Sequence, residues 1–218
     1  CDWSSDVCSS DLYSLAYFRQ TQSSEEFQIV GNTPEINYVA GALYYHEHVR
    51  DNAQAFATDV FSNAAGSAYS ILSLDYTKQR IDRASHVVTR SVGAFAQAIY
   101  TPEFLDNKGH LTAGARWTKD EKIGELFIIN GLIPSVNGVT APLQLNANWS
   151  RVDPLVILGY DVADDVHVYG KWSTGYKSGG ANSRSLFYAP FKPETVSIFE
   201  GGAKTEFWDH RARFNVAA

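Results

Sequence analysis

Methionine is missing from the whole sequence, position 1 included, and no charged start leads into the apolar core of a secretory signal. A natural chain begins with Met unless it has been processed, so the two absences together predict a fragment. Cysteine is nearly missing too: the two residues, Cys1 and Cys8, both lie at the extreme N-terminus. The remainder therefore has neither disulfide nor thiolate chemistry. No run of about 18 apolar residues occurs, which excludes a transmembrane helix but not a barrel strand that shows lipid every second residue. Basic residues are scarce, with 18 Lys and Arg against 24 Asp and Glu for a net charge of -6. Nucleic-acid binding calls for a basic patch or stripe instead, so no nucleic-acid partner is expected. No repeat of fixed period is present, which argues against a solenoid or propeller.

Residues 1–12 (CDWSSDVCSSDL) have neither strand nor helix period and hold both cysteines. They resemble a translated sequencing adapter joined to a truncated gene; the alternative is an N-terminal loop closed by a Cys1–Cys8 disulfide. The segment is set aside as non-native, and residues 13–218 are taken as the domain. Few contacts between 1–12 and the rest are expected.

What is abundant is aromatic residue and alternation. Tyr and Phe number 12 each, with 5 Trp and 16 Gly, a composition suited to strands and interfacial girdles. Over 166–177, Val166, Val168, Gly170, Trp172, Thr174 and Tyr176 alternate with His167, Tyr169, Lys171, Ser173, Gly175 and Lys177. A strand sends the two sets to opposite faces. Leu111, Ala113, Ala115 and Trp117 likewise oppose Thr112, Gly114, Arg116 and Thr118. Val92, Ala94, Ala96, Ala98 and Tyr100 oppose Ser91, Gly93, Phe95, Gln97 and Ile99, and Phe214 and Val216 oppose Arg213 and Asn215.

Four hairpins follow: 24–31 with 35–50, 85–101 with 110–122, 149–161 with 166–177, and 194–208 with 211–218. Their turns hold turn formers such as Asn107-Lys108-Gly109 and Asp164-Asp165. Longer connections separate them, at about 51–84, 123–148 and 178–193, with Asn130-Gly131 and Asn137-Gly138 among their turn signals. Segments 12–21 and 70–76 read as further strands, giving nine or ten. Short turns alternating with long loops, and strands of about 9–11 residues, are the pattern of an outer-membrane barrel. The predicted fold is all-β, an antiparallel meander forming part of a transmembrane barrel, open and with almost no helix.

Six stretches stand out: 91–100 (SVGAFAQAIY), 111–121 (LTAGARWTKDE), 168–182 (VYGKWSTGYKSGGAN, the most specific), 191–195 (FKPET), 200–204 (EGGAK) and 37–47 (NYVAGALYYHE). Together they resemble the barrel of TonB-dependent receptors. The resemblance spans 13–218 in order and spacing, and departs at Gly201, where the family usually has a larger apolar residue. It implies an incomplete portion of a 22-stranded barrel whose lumen holds a plug. The plug, the TonB-contacting segment, the signal peptide and the last strands would then lie outside this chain.

Candidate sites are few. His46 and His48 flank Glu47 and share a strand face, as metal ligands would, but no third ligand is visible, so they are read as a polar strand end near an aromatic belt. Tyr176-Lys177-Ser178-Gly179-Gly180 lacks Walker spacing and a following helix, so it is read as a strand entering a loop. Asp164-Asp165 and Asp120-Glu121 are read as solvated turn or strand-end carboxylates, and His86 and His210 form no catalytic pattern. Arg116, Lys171, Lys204, Glu206 and Arg213 fall on polar faces, as a charged lumen wall requires. Trp117, Trp172, Tyr100, Tyr176 and Phe207 fall near strand ends on apolar faces, as interfacial girdles require. No residue is assigned as catalytic, metal-binding, cofactor-binding or ligand-binding.

By resemblance, the function expected is active import of an iron–siderophore complex or similar bulky nutrient across the outer membrane, without enzymatic activity or cofactor. The expected partners are the TonB energy-transducing complex, outer-membrane lipid and an extracellular small molecule such as a siderophore. The alternatives are a passive porin-like channel and a soluble β-sandwich carbohydrate-binding domain. A soluble domain of that kind would bury an aromatic core, and a glycosidase would set a carboxylate pair in a cleft.

Overall fold

The computed structural model describes residues 12–57, 59–61, 69–71, 79–185 and 187–218. The elements in chain order are β1 (Leu12–Asn32), β2 (Ile36–Ala57), β3 (Asp59–Phe61), β4 (Tyr69–Ile71), β5 (Gln79–Tyr100), a 3-10 turn at Glu103–Leu105, and β6 (Gly109–Ile129). They continue with β7 (Ser135–Val136), β8 (Val139–Thr140), β9 (Leu143–Ala163), β10 (Val166–Lys177), β11 (Gly180–Ala181), β12 (Pro190–Phe191), β13 (Glu194–Phe207) and β14 (Ala212–Ala217).

Eight of them form one antiparallel sheet in the order β1-β2-β5-β6-β9-β10-β13-β14. Consecutive long strands are neighbours throughout, so the meander is as expected. Among the described residues there is no α-helix. The expected nine or ten strands become eight in this sheet for two reasons. Segments 12–21 and 24–31 are one continuous strand, because Leu12 through Asn32 stays in register with β2 without a break. The strand expected at 70–76 contributes Tyr69–Ile71 to a separate hairpin with β3; residues 72–76 lie outside the described ones. The expected few contacts of 1–12 concern residues of which only Leu12 is described, and it begins β1 opposite Ala57.

The long connections are shorter than the sequence reading allowed, because β2, β5, β6 and β9 run on for 21 or 22 residues. Asp120 and Glu121 accordingly lie in mid-strand rather than at a strand end, paired with Ser91 and Arg90 of β5. His46 and His48 are also in mid-strand, opposite Arg90 and Val88.

Cross-strand register assigns the faces, since directly opposed residues point the same way. Val156 opposes both Ala113 and Trp172, Leu158 opposes Leu111, and Val152 opposes Trp117. Val168 and Val166 follow Trp172 on β10. Arg116 opposes Asp153, Lys171 opposes Glu200, and Arg213 opposes Glu206 on the other face. The predicted apolar and polar sets therefore separate up to Trp172 on β10; Thr174 and Tyr176 depart from them.

The apolar face forms a band. On β5 it runs Val92, Ala94, Ala96, Ala98, Tyr100; on β9 Val152, Pro154, Val156, Leu158, Tyr160; on β2 Ile36, Tyr38, Ala40, Ala42, Tyr44. Its length along each strand matches the 9–11 residues that a tilted strand needs to cross hydrocarbon. Tyr38, Tyr100 and Tyr160 mark the short-turn edge; Tyr44, Trp117 and Trp172 lie toward the other. The two indoles donate to serine hydroxyls, Trp117 Nε1 to Ser150 Oγ at 2.8 Å and Trp172 Nε1 to Ser197 Oγ at 3.1 Å. An amphipathic ring with an occupied N–H suits a membrane interface. Just beyond the band, the charged row His46–Arg90–Glu121 crosses three strands on the same face, with Arg90 and Glu121 at 3.5 Å.

Past that row the two faces of β9 exchange character, although Ile123 of β6 and Val88 of β5 remain on the outward side. On β9, Gln144, Asn146, Asn148 and Ser150 now point to the side that carried Val152 to Tyr160. Leu143, Leu145 and Ala147 point to the polar-wall side. There Leu126 is fully buried and Leu145 is nearly so, packed with Tyr188 from the connection 178–193. That connection lies across the sheet: Arg184 Nη2 meets Asp51 Oδ1 of β2 at 3.0 Å, and Ser183 approaches the same carboxylate.

Candidate functional site

Polar side chains gather on one face of the wall at two levels. Nearer the long loops, Arg116, Thr118, Asp120, Asp153, Lys171, Thr174 and Tyr176 line a groove of about 660 Å³. Alternation on neighbouring strands delivers Arg116, Thr118 and Asp153 to it, with Arg151 beside them on the same face. Asp153 is its hinge: Oδ1 accepts from Arg151 Nε at 2.7 Å and from Thr174 Oγ1 at 2.8 Å. Arg116 Nε donates to Thr118 Oγ1 at 3.3 Å.

Thr174 and Tyr176 were expected on the apolar face, Tyr176 as part of a girdle. They line this groove instead. Pairing of β10 with β9 ends at Ser173 opposite Leu155 while pairing with β13 continues to Lys177, so the top of β10 is held on one side only and Thr174 turns inward to Asp153. Phe207, Trp117, Trp172 and Tyr100 stay on the apolar face, as their register requires.

Nearer the short turns, Tyr169 Oη donates to Glu200 Oε1 at 2.7 Å, Lys171 Nζ lies 3.8 Å from the same carboxylate, and Lys204 Nζ sits 5.5 Å from the Tyr169 ring centre. Asp164 and Asp165 occupy the β9–β10 turn, as expected. His210, in the β13–β14 turn, is bonded to Glu206, which also takes the Arg213 guanidinium. The Glu206 bond, with Asp165 nearby at 3.7 Å, pushes the His210 pKa above its ordinary value.

One group was not singled out from the sequence. His110 of β6 and His167 of β10 both hydrogen-bond Asp161 of β9, at 2.8 Å and 2.6 Å. His110 and Asp161 are 51 residues apart, and only cross-strand register brings them together. Among the described residues, His46 and His48 do not join a ligand cluster of this kind; the two clusters of histidine and carboxylate are His110–Asp161–His167 and Asp165–Glu206–His210. The Lys177–Gly180 run enters the β11–β12 connection, with Gly179 against Trp149 and no helix behind it.

A wall that is apolar on one side and charged on the other can separate lipid from a polar interior, and the comparisons agree. The family model described as TonB dependent receptor-like, beta-barrel, matches residues 2–218. The chain belongs to that family. Its members are outer-membrane transport receptors rather than enzymes. Among solved structures, the ferric yersiniabactin uptake receptor FyuA from Yersinia pestis is similar at a TM-score of 0.69 and 19% identity, over 91% of this chain and 28% of that one. The siderophore receptor PiuA from Acinetobacter baumannii gives 0.60 and 13%, over 93% and 31%. The alcaligin outer membrane receptor FauA from Bordetella pertussis gives 0.56 and 13%, over 95% and 29%. At these identities the likeness is one of fold, and the chain spans under a third of each receptor. No curated protein sequence matches significantly.

Proposed function

We propose that the chain is barrel wall from a receptor that imports a bulky nutrient, such as an iron–siderophore complex, across the outer membrane with energy delivered through TonB. The observation that carries this is the family match over residues 2–218, together with a wall whose apolar band is one membrane deep. The structural neighbours named for siderophore uptake support the ligand class. In this reading the apolar face meets outer-membrane lipid and the charged face meets a plug outside this chain. The ligand and TonB are bound mainly by parts not in the sequence. Residues 13–218 are the wall and residues 1–12 are foreign to it, which amplification of the locus from genomic DNA would check.

The deciding experiment is accumulation of labelled ferric siderophores by cells producing the complete receptor, with and without TonB. Uptake that collapses without TonB is expected. Equal uptake in both strains, saturating only at high solute, would replace this reading with a passive porin-like channel.

A further inference from the structure

We propose that His110, Asp161 and His167 form a binding site for a divalent first-row transition-metal ion on the polar wall beside the short turns. The proposal does not depend on the import reading.

Three adjacent strands build the site. His110 opposes Gly159, Gly159 opposes Tyr169, and Asp161 opposes His167, so the three side chains emerge on one face within two residue steps. One donor atom from each lies within 4.8 Å of the others. The imidazole centres are 5.8 Å apart. All three side chains are half-buried, enclosed enough to be held and open enough for an ion to enter.

The surroundings position these groups. Thr101 Oγ1 lies 3.0 Å from His110 Nδ1, which leaves Nε2 directed at Asp161. A hydroxyl both donates and accepts, so it serves either tautomer of His110. Nε2 can then change from donor to Asp161 into metal ligand by moving its proton to Nδ1. Such a contact on the far nitrogen is the usual support of a ligating histidine. His167 stacks on Tyr169 with rings 23° apart. Gly159 leaves the gap that admits its ring: a Cβ there would stand 2.8 Å from His167 Cε1 and 3.1 Å from Nε2.

The donor set selects the ion. Two neutral imidazoles and one carboxylate suit zinc, cobalt, nickel, copper or ferrous iron, whereas calcium and magnesium take oxygen ligands. Three protein ligands leave a position for water or an incoming group. The neighbouring Asp165–Glu206–His210 cluster fits less well, because the Arg213 guanidinium already holds Glu206.

The test uses the complete receptor, untagged and folded in detergent micelles. Cobalt(II) is titrated near neutral pH, followed by its visible d–d absorption and by displacement with zinc. One ion per chain is expected. His110→Ala or His167→Ala should weaken binding by more than tenfold and Thr101→Val by roughly tenfold. The double substitution His46→Ala with His48→Ala should leave it unchanged. A second measurement needs no variant. Zinc should shield His110 and His167 from diethyl pyrocarbonate, read by peptide mass spectrometry, while His46, His48 and His86 still react. Guanidinium should abolish that selectivity. Absence of stoichiometric uptake, uptake that survives removal of both His110 and His167, or protection spread evenly over all histidines would overturn the proposal.

Discussion

Two stretches of β9 each present an apolar face, and the two faces mean opposite things. In Val152–Tyr160 the unbroken apolar row of Val152, Pro154, Val156, Leu158 and Tyr160 points away from the charged wall, while Leu155 and Ile157 share the wall side with Asp153; in Leu143–Ala147 the apolar residues point toward the wall. Strand geometry is the same in both, so the difference lies in what surrounds each face. Lipid takes the outward face of the first stretch. In the second the outward face is polar, and the apolar residues find cover under the connection 178–193, where Tyr188 meets Leu126 and Leu145. Alternation alone reports that one face is apolar, and the environment decides which.

The comparison breaks most visibly if a charge is placed on equivalent outward positions in the two stretches. Val156, at the middle of the band, should cost about 2–4 kcal/mol as Val156→Arg in bilayer-inserted protein. Asn148→Arg, on the same face beyond the band, should stay within about 0.5 kcal/mol. Urea unfolding in lipid vesicles measures both. Similar costs would remove the distinction between the stretches.

The inward side gives the next effect. Leu126 has no exposed surface, and Leu126→Ala should cost roughly 2 kcal/mol, near the low end for such truncations because its cluster is small. Hydrogen exchange should show faster opening of 178–193 with the band unaffected. Exchange that rises equally in both stretches would mean they unfold as one unit.

Tyr188 sharpens the same point through pH. Burial, aided by Glu125, pushes its pKa up to about 12. The favoured form is the protonated one, so its contribution is present below the ordinary value near 10 and is lost as pH rises through about 12. The connection should loosen over that window. Its hydroxyl is buried without a hydrogen-bond partner among the described residues, so Tyr188→Phe should be close to neutral at pH 7 and should remove Tyr188's own titration from the alkaline loosening. The smallest effect belongs to Arg184→Ala: a half-exposed ion pair with Asp51 is worth about 0.2–1 kcal/mol, screened by salt, and a double-substitution cycle measures it.

How much of this was legible in the residues depends on the range of the interaction. The alternation over 91–101, 111–118 and 166–172 is a local signal, and the faces it assigns are those of the structure. The strand tops were not read as strands, although Leu143 to Ser150 alternates without a fault, because Asn and Gly nearby imitate a loop. Asn137-Gly138 in fact marks a tight hairpin between β7 and β8, with φ of 52° and 79°. Tyr176 departed from its expected face where a neighbouring strand stops pairing, which no single strand's pattern records. His110, Asp161 and His167 stayed invisible for the same reason: their juxtaposition is a property of register between three strands.

The contact between Arg184 and Asp51 has a mechanical meaning. The segment leaves β10 and is fastened at β2, passing β9, β6 and β5, a span of about 19 Å at the usual strand spacing. A link joining two points of an arc acts as a chord. It resists flattening of that stretch of wall only up to the strength of its fastening, the Arg184–Asp51 pair worth about 0.2–1 kcal/mol. Bending stiffness at the rim is then set by the ladders between strands, with one weak tether added to them.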